Sequence, residues 1–508
     1  MAIRVVILNV LLLCQIYNIM SKHSYFQRAV LILAFVMSYF STMNAQWVSP
    51  GNGTTYTMSD LVTISNGVVT NTGTVFSVNN DLTISQNDVL KIDNQVSRID
   101  AGNVLITIQG SMVCSNIERV KLYGTMTEHF SMRFENATNC QLKTMYFSDG
   151  AGIKVIESEV DFIDCKFVYF TRDYCNAVID FMNCNPRIED CYFLLNEGAA
   201  ISSPANGQGS PKILNCQFDS NVNGINSPQI NLGPGAEDTI YIVGNEIDGT
   251  YATYHAGGIS VADLMGTGST KVLIENNVVK ENRYGYNQQG QTISSVIRGN
   301  RFVNNNHEDN PMNGGSGISI YGSSTNCKAK LRNNTITGNL WGITAIYFHD
   351  IDLGTEDDWG YNQIYDNGNE GVLYELYNNS ACDIMAVGNA WGTTDENEVE
   401  ERIVHQKDDP SLGLVTYIPF IGYDAVNEVE MTGFEVSPNP VSNGTITLTL
   451  DEEMPSEVVI YSLQRQIIKS QHIDNKVNTI NLDALKSGIY IVEVKNANKT
   501  MVKRVFVE

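Results

Sequence analysis

Short apolar segments, each interrupted by one asparagine or cysteine, recur along the chain between residues 114 and 389. An apolar residue usually lies three positions before the interrupting residue and another two positions after it, as in Ile274, Asn277 and Val279. Residues two apart on a strand point to the same side, so the interrupting residue and the apolar residue after it face one core. Asn and Gly then follow, which predicts short β-strands joined by tight turns.

The interrupting residues form one series with an average spacing of 27.5 residues, from 275 residues over ten gaps. Five cysteines stand 25 or 26 residues apart, and six asparagines continue the series. Its members are Cys114, Cys140, Cys165, Cys191, Cys216, Asn245, Asn277, Asn300, Asn334, Asn362 and Asn389. A fixed period of this length indicates a solenoid in which each repeat forms one coil. We therefore predict about three short strands per coil, stacked in parallel sheets with a rung spacing of about 4.8 Å.

This repeat, over roughly residues 80–420, resembles that of right-handed parallel β-helix proteins of the pectate-lyase-like type. In that family an inward asparagine at a bend stacks on its neighbours through side-chain amide hydrogen bonds. The resemblance gives this structural role to the six asparagines of the series, with the cysteines replacing them in the first half. An unstacked buried amide would cost about 1–3 kcal/mol.

The cysteines of the series have more than one possible state. Adjacent rungs bring their Cα atoms close enough for a disulfide, and export to an oxidising compartment would favour one. The series holds an odd number of cysteines, so at least one stays unpaired within it, and we favour reduced, buried thiols. No metal site is predicted, because no histidine accompanies the series and the chain has no CxxC pair.

The first 45 residues read as an export signal. Residues 28–40 are almost entirely apolar, basic residues precede them, and small residues ending at Ala45 follow. This is typical of a secretory signal peptide, with Met20 as the expected true start. The alternative is a membrane anchor at residues 5–19. Residues 46–110 are expected to form an N-terminal cap and the first coils, and residues 111–420 the β-helix with its C-terminal cap.

The chain changes character after residue 420, where a linker at 421–432 is expected. Residues 433–508 alternate apolar and polar positions, which fits a small antiparallel β-sandwich. This segment resembles the type A C-terminal sorting domain of the type IX secretion system, through Pro438, Asn439, Pro440, Gly488 and Tyr490. The resemblance implies the type IX machinery as a partner and a secreted or outer-surface location in a Bacteroidetes-type bacterium. The predicted fold is all-β: a right-handed parallel β-helix followed by a small antiparallel β-sandwich.

Residues 390–420 are expected to close the C-terminal end of the solenoid. Trp391 is interpreted as cap packing, and Glu398–Val404 as a short amphipathic helix with Val399 and Ile403 facing inward. Such a cap would protect strand edges that otherwise invite aggregation.

Charge and missing motifs narrow the function. The net charge is −24, carried mostly by the repeat region, and such a surface repels nucleic acid and polyuronates unless calcium bridges them. No phosphate-binding loop is present, which argues against a nucleotide enzyme. No cofactor is predicted; calcium is conceivable, but no repeat of calcium-loop spacing indicates it. We expect a monomer with no membrane span in the mature chain.

Two coils depart from the regular repeat and predict a candidate site. A Gly-apolar pair normally begins eight residues after the interrupting residue, but it is delayed to Gly258 after Asn245 and to Gly317 after Asn300. Both extra loops would leave at one corner of the rod, about 10 Å apart, as the walls of a short cleft over the coil of Asn277. The candidate ligand residues are Tyr251, Tyr254, His255, Arg283, Tyr284, His307, Glu308 and Asp309.

Aromatic rings stack on sugar faces, and histidines and carboxylates suit proton transfer. The alternative is that both loops are tolerated surface insertions. We favour a glycan-binding, adhesive or scaffold protein over a polysaccharide lyase or glycoside hydrolase, because the motif sets of such enzymes on this fold are missing from the sequence. A structural stalk without a ligand is the third possibility.

Overall fold

The computed structural model describes residues 46–422 except 267–268, and residues 434–507 except 439–440, 442–443, 451–454, 463–466, 483–484, 487 and 496–499. It divides into two compact units, residues 1–423 and 424–508. The expected signal peptide or anchor lies outside the described residues, and so do Asn439, Pro440 and most of the expected linker.

The first unit is a right-handed parallel β-helix built from three long sheets, with strands numbered along the chain. Each coil passes through sheet A, sheet B and sheet C in turn. Sheet A holds the strands that precede the corner of the Asn series. Its strands are β2 (Thr55–Thr57), β6 (Val89–Ile92), the first parts of β9 (Ser111–Tyr123) and β11 (Cys140–Ser148), β13 (Val160–Ile163), β16 (Arg187–Glu189), β19 (Lys212–Leu214), β22 (Thr239–Val243), β25 (Thr270–Glu275), β28 (Ile293–Arg298), the second parts of β30 (Ser316–Arg332) and β32 (Trp341–Gly354), β37 (Ile384–Ala386) and β39 (Val415–Thr416).

Sheet B follows that corner and includes the second parts of β9 and β11. Its other strands are β4 (Val75–Val78), β7 (Arg98–Ala101), β14 (Lys166–Val168), β17 (Tyr192–Leu194), β20 (Gln217–Asp219), β23 (Glu246–Asp248), β26 (Val278–Lys280), β29 (Arg301–Val303), β31 (Thr335–Thr337) and β33 (Gln363–Tyr365), with β3 (Val69–Thr72) paired antiparallel to β4.

Sheet C completes each coil and includes the first parts of β30 and β32. Its other strands are β1 (Trp47–Val48), β5 (Leu82–Ile84), β8 (Leu105–Ile108), β10 (Phe130–Glu135), β12 (Gly150–Ile156), β15 (Ala177–Met182), β18 (Ala199–Ser202), β21 (Pro228–Leu232), β24 (Gly257–Asp263), β27 (Tyr286–Gly290), β36 (Leu376–Asn379) and β38 (Ile403–Val404). A small hairpin, β34 (Gly368–Asn369) and β35 (Val372–Leu373), stands outside the three sheets.

Inward side chains of equivalent position stack along the rod. On sheet B, Phe147, Phe167, Phe193 and Phe218 are fully buried, with ring centroids 4.7–5.0 Å apart and nearly parallel planes. Because each ring contacts its neighbours on both sides, the core is continuous along the rod.

Asparagines stack at the A–B corner into a first amide ladder. From Asn245 to Asn389, each side-chain Nδ2 donates to the Oδ1 of the next asparagine at 2.8–2.9 Å. Each Nδ2 also donates to a backbone carbonyl; for Asn300 this is Ile274 O at 2.9 Å. The backbone N–H of Asn300 donates to Asn334 Oδ1. The buried amides thus satisfy one another, which removes their desolvation cost.

Fewer cysteines belong to this ladder than their even spacing in the sequence predicts. Cys165, Cys191 and Cys216 continue the asparagine column, and the Cys216 backbone N–H donates to Asn245 Oδ1 at 2.8 Å. Cys140 instead lies within β11 opposite Val160, and Cys114 lies within β9 opposite Leu142. Because β9 and β11 run through the corner as long strands, equal spacing there does not give equal position in the coil.

All nine cysteines among the described residues are free. Burial raises the pKa of the Cys114 and Cys140 thiols to about 11 and that of Cys165 and Cys191 well above the ordinary value. These thiols are therefore protonated at neutral pH and are poor nucleophiles.

A second amide ladder runs inside the B–C corner. Its eight members are Asn196, Asn221, Gln229, Asn282, Asn305, Asn339, Asn367 and Glu375, linked side chain to side chain at 2.6–3.4 Å. Glycines lie against four of its members, Asn282, Asn305, Asn339 and Asn367, where there is no room for a Cβ. On Gly317, a Cβ would lie 2.9 Å from Asn339 Nδ2.

Gln229 and Glu375 fill places where the second ladder has no asparagine. The coil of Asn245 carries Thr250 at that position, and Gln229 reaches in from the preceding coil. Gln229 Oε1 accepts from Asn221 Nδ2 at 2.8 Å, and its Nε2 donates to Asn282 Oδ1 at 3.0 Å. Glu375 closes the ladder by accepting from Asn367 Nδ2 at 2.6 Å. Its other oxygen is buried without a hydrogen-bond partner among the described residues.

Helices lie near both ends of the rod. Helix α1 (Met58–Ile64) begins with a capping box between Thr57 and Asp60. Helix α2 (Glu396–Glu401) buries Val399, and Trp391 is fully buried. The expectation that helix α2 continues to Val404 is wrong. Ile403 and Val404 form β38 instead, which pairs with Leu376 and Tyr377 at the open end of sheet C.

The second unit is a small antiparallel sandwich. One sheet holds β40 (Phe434–Ser437), β41 (Thr445–Leu450) and β44 (Val477–Asn481). The other holds β42 (Ser456–Ser462), β43 (Ile467–Ile473), β45 (Gly488–Lys495) and β46 (Thr500–Val507). Their core includes Leu448, Ile480 and Val492. Pro438 follows β40, Gly488 begins β45, and the Tyr490 hydroxyl donates to Lys486 O at 2.9 Å.

Replacing one ladder amide should destabilise the rod. In Asn300→Ala, the backbone N–H and Nδ2 of Asn277 lose their shared acceptor, so we expect the free energy of unfolding to fall by about 2–4 kcal/mol. Exposed Asn326→Ala is the control and should change stability by about 0.5 kcal/mol or less. Urea unfolding measures both variants, and equal stabilities would contradict the structural role of the ladder.

The buried Glu375 should make the free energy of unfolding of the rod fall as the pH rises. Burial raises its pKa to about 8, while Asn367 and Arg402 oppose the shift and Asp366 adds to it. The unfolded chain ionises near pH 4.5 while the folded one stays protonated, so stability falls between about pH 4.5 and 8. Glu375→Gln, which copies Gln229, removes this loss and should be more stable than the parent by a few kcal/mol at pH 8.5 but not at pH 4.5. Parallel unfolding profiles of the two proteins would contradict this.

Candidate functional site

The loops of the B–C corner carry all of the candidate ligand residues. The second amide ladder lines the inside of this corner, and the loops project outward from it. Residues 249–256 leave after β23 and residues 304–315 leave after β29, with the short turn 281–285 between them. Val222, Ala252 and Ala256 form a small buried cluster of their own, which holds the loop 249–256 against its neighbour.

His255 and Glu308 meet across the two long loops. His255 Nδ1 lies 3.7 Å from Glu308 Oε2, and the Tyr254 and His255 rings are 3.8 Å apart. The Glu308 side chain is only 8 % exposed, whereas that of His255 is 39 % exposed. Glu308 Oε2 is buried without a hydrogen-bond partner among the described residues. An acceptor in this state carries a desolvation cost, which a donor from a ligand would offset.

Arg283 joins the two loops to the turn between them. Its backbone N–H donates to Ala256 O and its carbonyl accepts from Gly315 N–H, both at 2.7 Å. Its Nη1 donates to Asn226 Oδ1 at 2.9 Å, and the guanidinium lies 5.1 Å from the Tyr284 ring centroid. The expected open cleft, with two separate walls over the coil of Asn277, is therefore not formed. The loops are instead bridged into one ridge.

Tyr284 lies under this ridge on the outer face of sheet C. Its ring covers Gly257, where a Cβ would overlap the ring carbons. Burial raises the pKa of the Tyr284 hydroxyl to about 12. Tyr284 therefore packs beneath Arg283, and its ring is not an exposed contact for a ligand.

Three of the sequence candidates point elsewhere. His307 Nδ1 lies 3.2 Å from Glu281 O, so the imidazole is held by the neighbouring turn. Asp309 is exposed, and Tyr251 is 78 % exposed. Among the described residues, no hydrogen bond or ion pair joins these side chains to His255 or Glu308. The structure thus brings together Tyr254, His255 and Glu308, with Arg283 and Tyr284 beside them.

An aromatic trio at the same corner was not predicted. It consists of Trp341, Tyr374 and Tyr377, all half-buried. Trp341 lies 4.7 Å from Tyr374 and 5.4 Å from Tyr377 between ring centroids, and its Nε1 donates to Pro311 O at 3.0 Å. The loop that holds Glu308 therefore also holds the trio. In the sequence, the only indication of the trio was that Trp341 and Tyr374 each directly precede a residue on the inside of the B–C corner.

A second histidine contact joins His349 to Ser380. Ser380 Oγ lies 2.7 Å from His349 Nε2 and also donates to Asn378 Oδ1 at 2.8 Å. Both side chains are buried, so the pair belongs to the core. No group of three or more His, Cys, Asp or Glu side chains in the part of the chain described could hold a metal ion.

Comparisons with known proteins identify the second unit. Residues 435–508 match the model of the secretion system C-terminal sorting domain. The chain therefore carries a sorting domain for export by the type IX secretion system. Residues 285–396 match a family described as a protein of unknown function, DUF1565. No helix in the described residues is both long and apolar enough to cross a membrane.

Solved structures of similar shape include the periplasmic alginate epimerase AlgG. The TM-score is 0.46 at 11 % sequence identity, covering 72 % of this chain and 83 % of that one. Two mutants of the same epimerase match with TM-scores of 0.45 and 0.44. No curated protein sequence matches the chain.

The Tyr284 ring leaves no space for a side chain at Gly257. In Gly257→Ala the new methyl group overlaps the Tyr284 ring, which must move together with Arg283, and we expect a loss of about 1–3 kcal/mol in stability. Gly224→Ala is the matched control in a neighbouring loop, because its Cβ would come no closer than 3.5 Å to another atom, Glu197 O. Chemical unfolding compares the two variants. An unchanged Gly257→Ala would show that the ring does not occupy this position.

Proposed function

We propose that this exported β-helix protein binds an extracellular polysaccharide at the B–C corner, through Tyr254, His255 and Glu308. The sorting domain supports delivery outside the cell, where extracellular polysaccharide is within reach of the protein. The observation that carries the binding proposal is the buried Glu308 Oε2, which has no hydrogen-bond partner among the described residues and lies 3.7 Å from the partly exposed His255 ring.

The chemistry of these side chains suits a sugar. An aromatic ring offers a flat apolar face to the C–H groups of a pyranose, and a carboxylate accepts hydrogen bonds from its hydroxyls. Tyr254 is 53 % exposed, so its ring is accessible to a ligand. The strongly acidic chain is less suited to polyanionic polymers.

A second candidate function is cleavage of the same polymer. The His255–Glu308 pair supports it, because imidazole and carboxylate groups act as general acids and bases, but their 3.7 Å separation exceeds hydrogen-bond length. A retaining or inverting glycosidase needs two suitably placed carboxyl groups. The His255–Glu308 contact supplies one carboxyl group, whereas binding of a ligand needs no second one. Binding is therefore the better supported function.

Affinity measurements on the chain from residue 46 to residue 508 test the proposal. Tyr254→Ala should weaken binding to a recognised polysaccharide about tenfold through loss of ring stacking. Tyr169→Ala is the matched control, since Tyr169 is 52 % exposed on another loop of the same corner. Equal affinities for the parent and Tyr254→Ala would contradict the proposed site.

Chromatography of the incubated polysaccharides separates the two candidate functions. Binding alone leaves the polymer intact. New oligosaccharides that disappear in Glu308→Gln would instead establish cleavage at this site.

A further inference from the structure

The aromatic trio Trp341, Tyr374 and Tyr377 faces outward, unlike the stacked phenylalanines of the core. Trp341 and Tyr377 stand at outward positions of sheet C, and Tyr374 precedes its last long strand. Both tyrosine rings are half-buried. Neither tyrosine hydroxyl has a hydrogen-bond partner in the described part of the chain. The trio thus combines apolar faces with free hydroxyl groups, as a sugar-binding surface requires.

A strip of polar residues, of which Ser260 and Thr344 are buried, runs along sheet C from the trio to the strand that follows His255. Ser260, Asn287, Ser319, Thr344 and Tyr377 lie opposite one another on five successive strands of sheet C. Ser260 and Asn287 are hydrogen-bonded at 3.1 Å. At about 4.8 Å per rung, the strip extends for about 19 Å along the rod, which is longer than one sugar ring.

The loop 304–315 contributes to both ends of this strip. Glu308 meets His255 at one end, and the Pro311 carbonyl fixes the Trp341 ring at the other. Because one loop holds both, a ligand that bridges them would contact a single preformed surface.

The charges around the trio indicate an uncharged ligand. Lys and Arg side chains lie over several tyrosines elsewhere in the rod, but over none of the trio rings in the described structure. The net charge of −24 also disfavours a polyanion. A uronate polymer would therefore meet repulsion without a compensating cation.

We infer that the trio is a second sugar subsite, so that the B–C corner binds an extended, uncharged polysaccharide along the rod axis. This inference rests on the proposed function. It adds the class of the ligand, the direction of the polysaccharide chain along the rod, and three residues that the first site does not include. A ligand too short to reach both ends would bind through one end alone.

Isothermal titration of the chain from residue 46 to residue 508 with uncharged oligosaccharides of two lengths tests the inference. The probes are the hexaoses and bioses of cellulose, xylan and mannan, with hexagalacturonate as the charged probe. We expect one uncharged hexaose to bind more tightly than its biose. Tyr374→Ala/Tyr377→Ala should weaken the hexaose about tenfold or more, with melting temperature and circular dichroism confirming the fold.

Tyr361→Ala is the matched control, since Tyr361 is 54 % exposed and lies 6.0 Å from Trp359 at a different corner. Should the double variant be poorly folded, Tyr377→Ala alone replaces it.

The outcomes separate the inference from the function on which it rests. Weaker hexaose binding in Tyr254→Ala but not in the trio variant would overturn the second subsite and leave the first. Preference for hexagalacturonate would overturn the uncharged ligand class. A parent protein that binds none of the probes or their parent polymers would overturn both proposals.

Discussion

The structure depends on how the rod satisfies polar groups that its bends bury. Each coil turns at three corners between its sheets, and at the A–B and B–C corners most coils from Asn245 onward place an amide where water is excluded. Stacking resolves this, because every Asn of the first ladder donates to the next Asn and to a backbone carbonyl. A hydrogen bond that repeats at each rung fixes the register of the sheets on both sides of the corner.

The same constraint explains where the loops can leave the rod. At the B–C corner the second ladder needs one amide per coil, and the coil of Asn245 lacks it. Gln229 supplies that amide from the preceding coil, so the loop 249–256 can depart without leaving a buried donor or acceptor unpaired. The site residues Tyr254 and His255 lie on this loop. Glu375 takes the place of an amide at the end of the ladder. Because it is a carboxylic acid, the stability of this end of the ladder depends on pH.

The period in the sequence was sufficient to predict the solenoid, and resemblances to known families added the stacked asparagines and the sorting domain. It failed at Cys114 and Cys140, because even spacing does not reveal that β9 and β11 run straight through a bend. It located the loops that carry His255 and Glu308, since a delayed Gly-apolar pair marks an insertion. It could not show that Arg283 bridges these loops, because the bridge depends on backbone hydrogen bonds between three coils. The trio was missed for a similar reason: its members come from two coils and meet only through strand register.

A crystal structure of the protein grown with a mixture of uncharged hexasaccharides would test the account most directly. We expect sugar rings on the B–C corner, one against Tyr254 with a hydroxyl on the Glu308 carboxylate and another against Tyr377, with the polysaccharide chain parallel to the rod. Sugar bound only on another face of the rod, or across it, would contradict the account.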